Sequence, residues 1–182
     1  MKLCIDPGHG MSSRITGVYD TGAKYGQLEE ADLVLVFAHE LKAECIRLGV
    51  PVFMTRTAVN EPAPLRGRVA AARFAGCTHL ISLHINDADE AKANGFETLY
   101  RTSGSLPFAR LFHAMLLPAL GLRDRGVKHR PDLAVLATGK MPSLLLELGF
   151  IRNAKDMAIV TNPGVMQQVC KLIAERLVAL GK

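Results

Sequence analysis

No two of the four cysteines, Cys4, Cys45, Cys77 and Cys170, stand in a C-x-x-C pair. Most lie among apolar residues, so they read as small buried hydrophobes rather than as disulfides or metal ligands, which suits a reducing compartment. No apolar stretch reaches the roughly 18 residues that a membrane-spanning helix needs. No secretory leader is evident, because the N-terminus carries one lysine and its apolar run breaks at Asp6. There is no internal repeat, linker or low-complexity tract. G-x-S-x-G and Walker A patterns are both absent, and Gly8-His9-Gly10 does not continue as G-x-G-x-x-G because Ser13 stands at the last position. A nucleophile-elbow serine hydrolase and a nucleotide-binding protein are set aside on that ground.

At 182 residues and 49% hydrophobic, the chain is long enough for one domain, residues 1–182, with a sizeable core. A formal net charge of +5 is mildly basic and favours an anionic partner such as a cell-wall polymer, a membrane surface or nucleic acid. The basic residues are scattered except for Arg123, Arg125, Lys128, His129 and Arg130. That cluster reads either as a solvated loop or as a binding patch.

Hydrophobic periodicity predicts helices over 30–48, 65–75, 106–120 and 163–180, and short strands over 3–5, 52–55, 79–83, 96–100, 133–136 and 144–146. Gly49, Gly76 and Pro163 mark helix boundaries. Residues 10–26 form a glycine-rich polar loop, and the basic cluster forms another. Strands and helices alternate, which predicts an α/β fold with a twisted, mostly parallel central sheet and helices on both faces.

Ligands of open α/β sheets bind beyond the carboxyl ends of the strands. Leu3-Cys4-Ile5 stops at Asp6-Pro7-Gly8, and His9 stands just past the stop between two glycines. His84 closes the apolar run that begins at His79, and Glu147 closes Leu144-Leu145-Leu146. Three polar residues at three strand ends can share one site. A catalytic zinc commonly takes three protein ligands and leaves a fourth position for water. His9 and His84 are two candidates, and the third should be a carboxylate opening the helix that faces them. Glu30 fits; Glu29, about 100° round the helix, is its rival. Glu147 is then left as an unliganded base, since a carboxylate inside so apolar a run is costly to bury unpaired. His39 and His113 fall within helices and His129 in the basic loop, and these read as surface or packing residues.

The ordered segments Ile5-Asp6-Pro7-Gly8-His9-Gly10, Glu30-Ala31-Asp32-Leu33, Thr55-Arg56, Ser82-Leu83-His84-Ile85-Asn86, Gly95-Phe96-Glu97 and Leu146-Glu147-Leu148-Gly149-Phe150 cover nearly the whole chain. Together they resemble the zinc-dependent N-acetylmuramoyl-L-alanine amidases of the Amidase_3 type, which cut peptidoglycan. The resemblance implies one zinc ion per chain held by His9, Glu30 and His84, with Glu147 as the essential catalytic carboxylate. It implies the glycan strand and stem peptide of peptidoglycan as the partner, and no nucleic acid. Arg68 matches the family's arginine after the Thr-Arg strand, either bracing the loop or touching substrate. Asp6, Ser82 and Asn86 are candidates, by proximity in sequence, to orient the histidine rings, and Asp6 reads equally as a turn former before proline. The chain departs from the family at Met11 and Arg73, neither of them an implied ligand. Without a leader it resembles an endolysin held in the cytoplasm until release, or a periplasmic or extracellular enzyme trimmed of its leader. The rival classes are a zinc peptidase or amidohydrolase acting on another amide, and a non-catalytic module binding anionic wall polymer or nucleic acid.

Overall fold

The computed structural model describes residues 1–90 and 92–181. In chain order it contains β1 (Leu3–Pro7), β2 (Gly10–Met11), β3 (Tyr19–Asp20), β4 (Lys24–Tyr25), β5 (Leu28–Glu29), α1 (Glu30–Arg47), β6 (Val52–Met54), α2 (Leu65–Phe74), β7 (His79–Asn86), β8 (Phe96–Tyr100), α3 (Leu106–Leu120), β9 (Asp124–His129), β10 (Ser143–Phe150), α4 (Ala154–Val160) and α5 (Pro163–Leu180). Two short 3-10 turns, Ser103–Ser105 and Ala134–Leu136, complete it.

Six strands form one sheet in the order β6-β1-β7-β10-β8-β9. Every neighbouring pair is parallel except β10 with β8. The fold is therefore α/β with a mostly parallel sheet, as the alternation of elements predicts. Successive side chains on a strand point to opposite faces. Leu3 and Ile5 of β1, Ile81, Leu83 and Ile85 of β7, and Leu144, Leu146 and Leu148 of β10 all enter one large core. Helices α1, α3 and α5 close that core with Phe37, Leu41, Phe112, Leu116, Ile173 and Leu177. The alternate residues Cys4, Leu80 and Leu145 enter a smaller core under α2 and the 134–136 turn. The cysteines are free, with Cys4, Cys45 and Cys170 buried and Cys77 half-buried.

The two faces are unequally covered, and this sets the position of the site. The small core ends early, so residues further along the same stripe emerge beyond it: Asp6 and Ser82, then His84, Glu147 and Glu97. The register aligns them, with Asp6 beside Ser82, and Glu147 between His84 and Glu97.

The structure corrects the expectation at several points. Residues 133–136 are not a strand. They cross the sheet as the Ala134–Leu136 turn and bury Val135 and Leu136 in the small core. The edge position belongs instead to the basic segment, which is strand β9 rather than a loop. Two of its cations escape notice as strand residues because they are consumed within the sheet: Arg125 Nε and Lys128 Nζ donate to Glu97 Oε2 at 2.8 and 2.6 Å. Charge of this kind on an edge strand also discourages pairing with other chains. Helix α4 is unanticipated; the Asn153 side chain caps it by accepting from the backbone N–H groups of Lys155 and Asp156. The segment 10–26 contains strands β2 and β3, which pair with each other, and β4, which pairs with β5. Among the described residues no helix is long and apolar enough to cross a membrane.

Candidate metal centre

His9, Glu30 and His84 meet at the carboxyl end of the sheet, with one donor atom from each lying within 4.8 Å of the others. Three elements deliver them: the turn after β1, the first residue of α1, and the end of β7.

His9 occupies a left-handed backbone conformation, φ 58°, which is uncommon for a residue other than glycine. Two buried arginines hold the turn in place. Arg56, fully buried, donates to the carbonyls of Pro7, Gly8 and Ala31 at 3.2, 2.8 and 2.7 Å. One side chain thus ties the His9 turn to the first turn of α1, which carries Glu30. Arg68 donates to the carbonyls of Ala63, Pro7 and His9 and to Asp6 Oδ1. Its hydrogen bonds are those of a brace.

Glu30 accepts from the backbone N–H of Ala23 at 2.8 Å and of Ile85 at 2.9 Å, so both of its oxygens are fixed. It also stands at the helix N-terminus, where the aligned peptide dipoles favour an anion. Its rival Glu29 turns outward and pairs with Lys24. His9 Nε2 lies 3.1 Å from Glu30 Oε2, and His84 Nδ1 lies 2.8 Å from Glu30 Oε1. Burial alone would push the Glu30 carboxyl up, but the bonds from His84 and His9 outweigh it and hold the group well below the usual carboxylate range. Burial works against charge on His84, and its bond to Glu30 overcomes that and raises its pKa.

Two glycines make room for the cluster. A Cβ at Gly8 would stand 2.4 Å from the His84 ring. A Cβ at Gly22 would stand 2.5 Å from Glu30 Oε2 and 2.6 Å from the His9 ring. Glu147 is the fourth member, and its Oε2 is buried without a hydrogen-bond partner among the described residues. Burial, with help from the nearby Glu30 and Glu97 carboxylates, pushes its pKa up to about 7 against the opposing pull of His84 and Arg130.

Asp6, Ser82 and Asn86 are placed differently from the positions their sequence proximity suggests. Asp6 accepts from Ser82 Oγ and Thr55 Oγ1, both at 2.6 Å, and from Arg68 Nη1 at 2.9 Å. Asn86 donates to Glu97 Oε1 at 3.1 Å. These bonds brace the strand ends; they do not reach His9 or His84. Besides the shared Glu30, the His9 ring is held by Asp20, whose Oδ2 lies 3.0 Å from His9 Nδ1. Reading the sequence missed Asp20, which stands on the short strand β3 within a stretch that reads as a polar loop and carries no spacing signal. It also assigned no role to Arg56 or Glu97, although both lie in the quoted motifs.

Two histidines and a carboxylate converging beside the buried Glu147 carboxylate are a donor set that could hold a metal ion. A family model described as N-acetylmuramoyl-L-alanine amidase, Amidase_3, matches residues 3–179, and the chain belongs to this family. It is 30% identical over 176 residues to the N-acetylmuramoyl-L-alanine amidase CwlM of Bacillus licheniformis, covering 94% of this chain and 65% of that protein. It is 34% identical over 159 residues to LytC of Bacillus subtilis, covering 85% of this chain and 30% of that protein. The chain thus spans less than two thirds of either relative. Among solved structures it is similar to the catalytic domain of CwlV from Paenibacillus polymyxa, with a TM-score of 0.87, 30% identity, and coverage of 99% of this chain and 98% of that one. AmiC2 of Nostoc punctiforme follows with a TM-score of 0.86 and 28% identity, covering 100% of this chain and 98% of that one.

Proposed function

We propose that residues 1–182 act as one catalytic domain that hydrolyses the amide between N-acetylmuramic acid and L-alanine in peptidoglycan. In this reading one zinc ion is held by His9, Glu30 and His84. The observation that carries it is the convergence of those three side chains beside the unpartnered oxygen of Glu147. The donor set suits zinc, and the space kept clear by Gly8 and Gly22 lets the donors approach one another. Family membership supports the choice of bond.

When bound, zinc supplies Lewis acidity, polarising the lactyl carbonyl and easing deprotonation of water at the site. Two neutral imidazoles and one carboxylate leave the centre a net positive charge, which preserves that acidity. Glu30, fixed by two backbone N–H groups and depressed in pKa, stays anionic. Asp20 accepts from His9 Nδ1 and so leaves Nε2 free to face the centre, and a carboxylate in that position also makes the ring a stronger donor. Glu147 accepts the proton of the attacking water and passes it to the departing alanine nitrogen. Burial raises its pKa, and a divalent cation bound nearby would draw it down towards the carboxylate form the base requires.

The test is mass spectrometry of soluble products from purified peptidoglycan, with and without a chelator. Stem peptides beginning at an unblocked L-alanine, lost on chelation and restored by zinc, are the expected result. Peptides cut within the stem would instead identify a zinc peptidase. Intact wall bound without any product would identify a binding module.

A further inference from the structure

We propose that Arg130 is a specificity residue that recognises a free carboxylate on the stem peptide, in the residues next to the scissile alanine. The inference rests on the amidase reading above. It begins from the charge of the cleft, a space of about 390 Å³ that contains His9, Glu30, His84 and Glu147. Its other charged walls are Asp20, Asp87, Arg14 and Arg130. Four carboxylates therefore line the cleft, two of them already paired, Asp20 with Arg14 and Asp87 with Arg152, so a carboxylate carried by the peptide away from the metal needs a cation of its own.

Only some of the cations near the cleft are available. Arg68 and Arg56 are buried and spend their donors on backbone carbonyls and, for Arg68, on Asp6. Arg125 and Lys128 both donate to Glu97, which is buried. Arg14 Nε stands 3.2 Å from Asp20 Oδ2, the same oxygen that holds His9, so moving Arg14 disturbs the metal cluster. Arg130 differs. Its backbone N–H donates to the Tyr100 carbonyl, which fixes it at the end of β9. Its guanidinium faces Asp132 as a two-pronged fork, Nε to Oδ1 at 2.9 Å and Nη2 to Oδ2 at 2.7 Å. Both side chains are about half exposed, 45% and 61%. An ion pair that open to water contributes little stability and exchanges readily.

Asp132 therefore occupies the fork as a stand-in carboxylate. The bidentate geometry is the one by which arginine recognises carboxylates in general. Beyond Arg130 the same segment continues as Leu133, Ala134 and Val135, which wall a recess of about 140 Å³ beside His9 and His84. Segment 130–135 thus presents a fork at the mouth and apolar surface within. That arrangement suits a small side chain followed by an anionic residue.

The test compares two synthetic muropeptides that differ only in the residue after alanine, one bearing a free carboxylate and the other its primary amide. Wild type is expected to favour the carboxylate by about 10-fold in kcat/KM, chiefly through KM, as one charge-assisted fork in a half-exposed position allows. Arg130→Gln is expected to abolish that preference with zinc content unchanged, and Arg130→Lys to retain part of it. Asp132→Asn discriminates further. It frees the fork, so KM for the carboxylate substrate should fall, whereas a purely structural Arg130–Asp132 pair predicts the same direction of change for both variants. An unaltered preference in Arg130→Gln, or equal turnover of the two peptides by wild type, would overturn the proposal and leave the amidase reading intact. Failure of zinc-loaded wild type to cleave either peptide would overturn the amidase reading and the proposal with it.

Discussion

His84 and His113 form two histidine–carboxylate pairs of nearly the same local chemistry. His84 Nδ1 lies 2.8 Å from Glu30, and His113 Nε2 lies 3.0 Å from Asp124. The surroundings differ. At His113 the other ring nitrogen meets Thr98 Oγ1 at 3.0 Å, and the ring stacks on Phe96 with centroids 4.9 Å apart. Both nitrogens are taken, and the Asp124 carboxylate is 58% exposed to water. At His84 a second histidine stands edge-on at 5.0 Å, a shared carboxylate is buried at a helix start, and Glu147 Oε2 has no hydrogen-bond partner among the described residues. A saturated cluster pins β8 and β9 to α3. A convergent and incompletely satisfied one holds its donors ready for a cation.

Removing one donor from each cluster breaks the comparison most sharply. His84→Ala is expected to remove both zinc and hydrolysis, by more than the roughly 100-fold typical of losing an outer-sphere partner. His113→Ala should leave kcat per folded molecule unchanged and cost stability, because the buried Thr98 hydroxyl loses its partner at about 1–3 kcal/mol. Urea unfolding and muropeptide turnover on the same samples check both. Glu147→Gln comes next, with kcat falling about 10²–10⁴-fold and metal content unchanged. Normal turnover in that variant would remove Glu147 from the mechanism. Asp20→Asn should weaken zinc affinity by about 10–100-fold, read by competition with a chromophoric chelator.

The smallest effects concern two buried carboxylates with opposite shifts. Burial would raise Asp6, but Arg68, Ser82 and Thr55 outweigh it and hold its pKa below the usual value. Its stabilising contribution is present above the unfolded pKa of about 3.9 and is lost as pH falls through the lower folded value. Glu147 in the metal-free chain behaves in reverse. Its folded pKa is pushed up to about 7, so stability declines as pH rises from the unfolded value of about 4.3 towards 7. Urea midpoints of the metal-free protein between pH 3 and 8, wild type against Asp6→Asn and Glu147→Gln, should flatten the acidic and the neutral limb respectively.

Strand ends were legible because an apolar run that stops at a polar residue and a glycine leaves few alternatives. His9, His84 and Glu147 emerge that way, and the long helices follow from their apolar stripes. Glu30 was legible only as one of two adjacent glutamates, since the choice depends on how Ala23 and Ile85 present their N–H groups, a tertiary fact. Strand β9 was hidden because its cations are neutralised by Glu97, 28 and 31 residues away in sequence. Residues 133–136 have the composition of a strand, but they pack on α2 across the face of the sheet. Asp20 carries no local signal, and its role depends on a hairpin folding back over His9.

The most direct test of the account is a zinc titration of the purified chain and of its His9→Ala, Glu30→Gln, His84→Ala and His113→Ala variants, with folding verified by circular dichroism. The account predicts one tightly bound zinc per chain in wild type and His113→Ala, and loss of that site in the other three. Folded wild type that takes up no zinc, or a site that survives in His84→Ala, would contradict it.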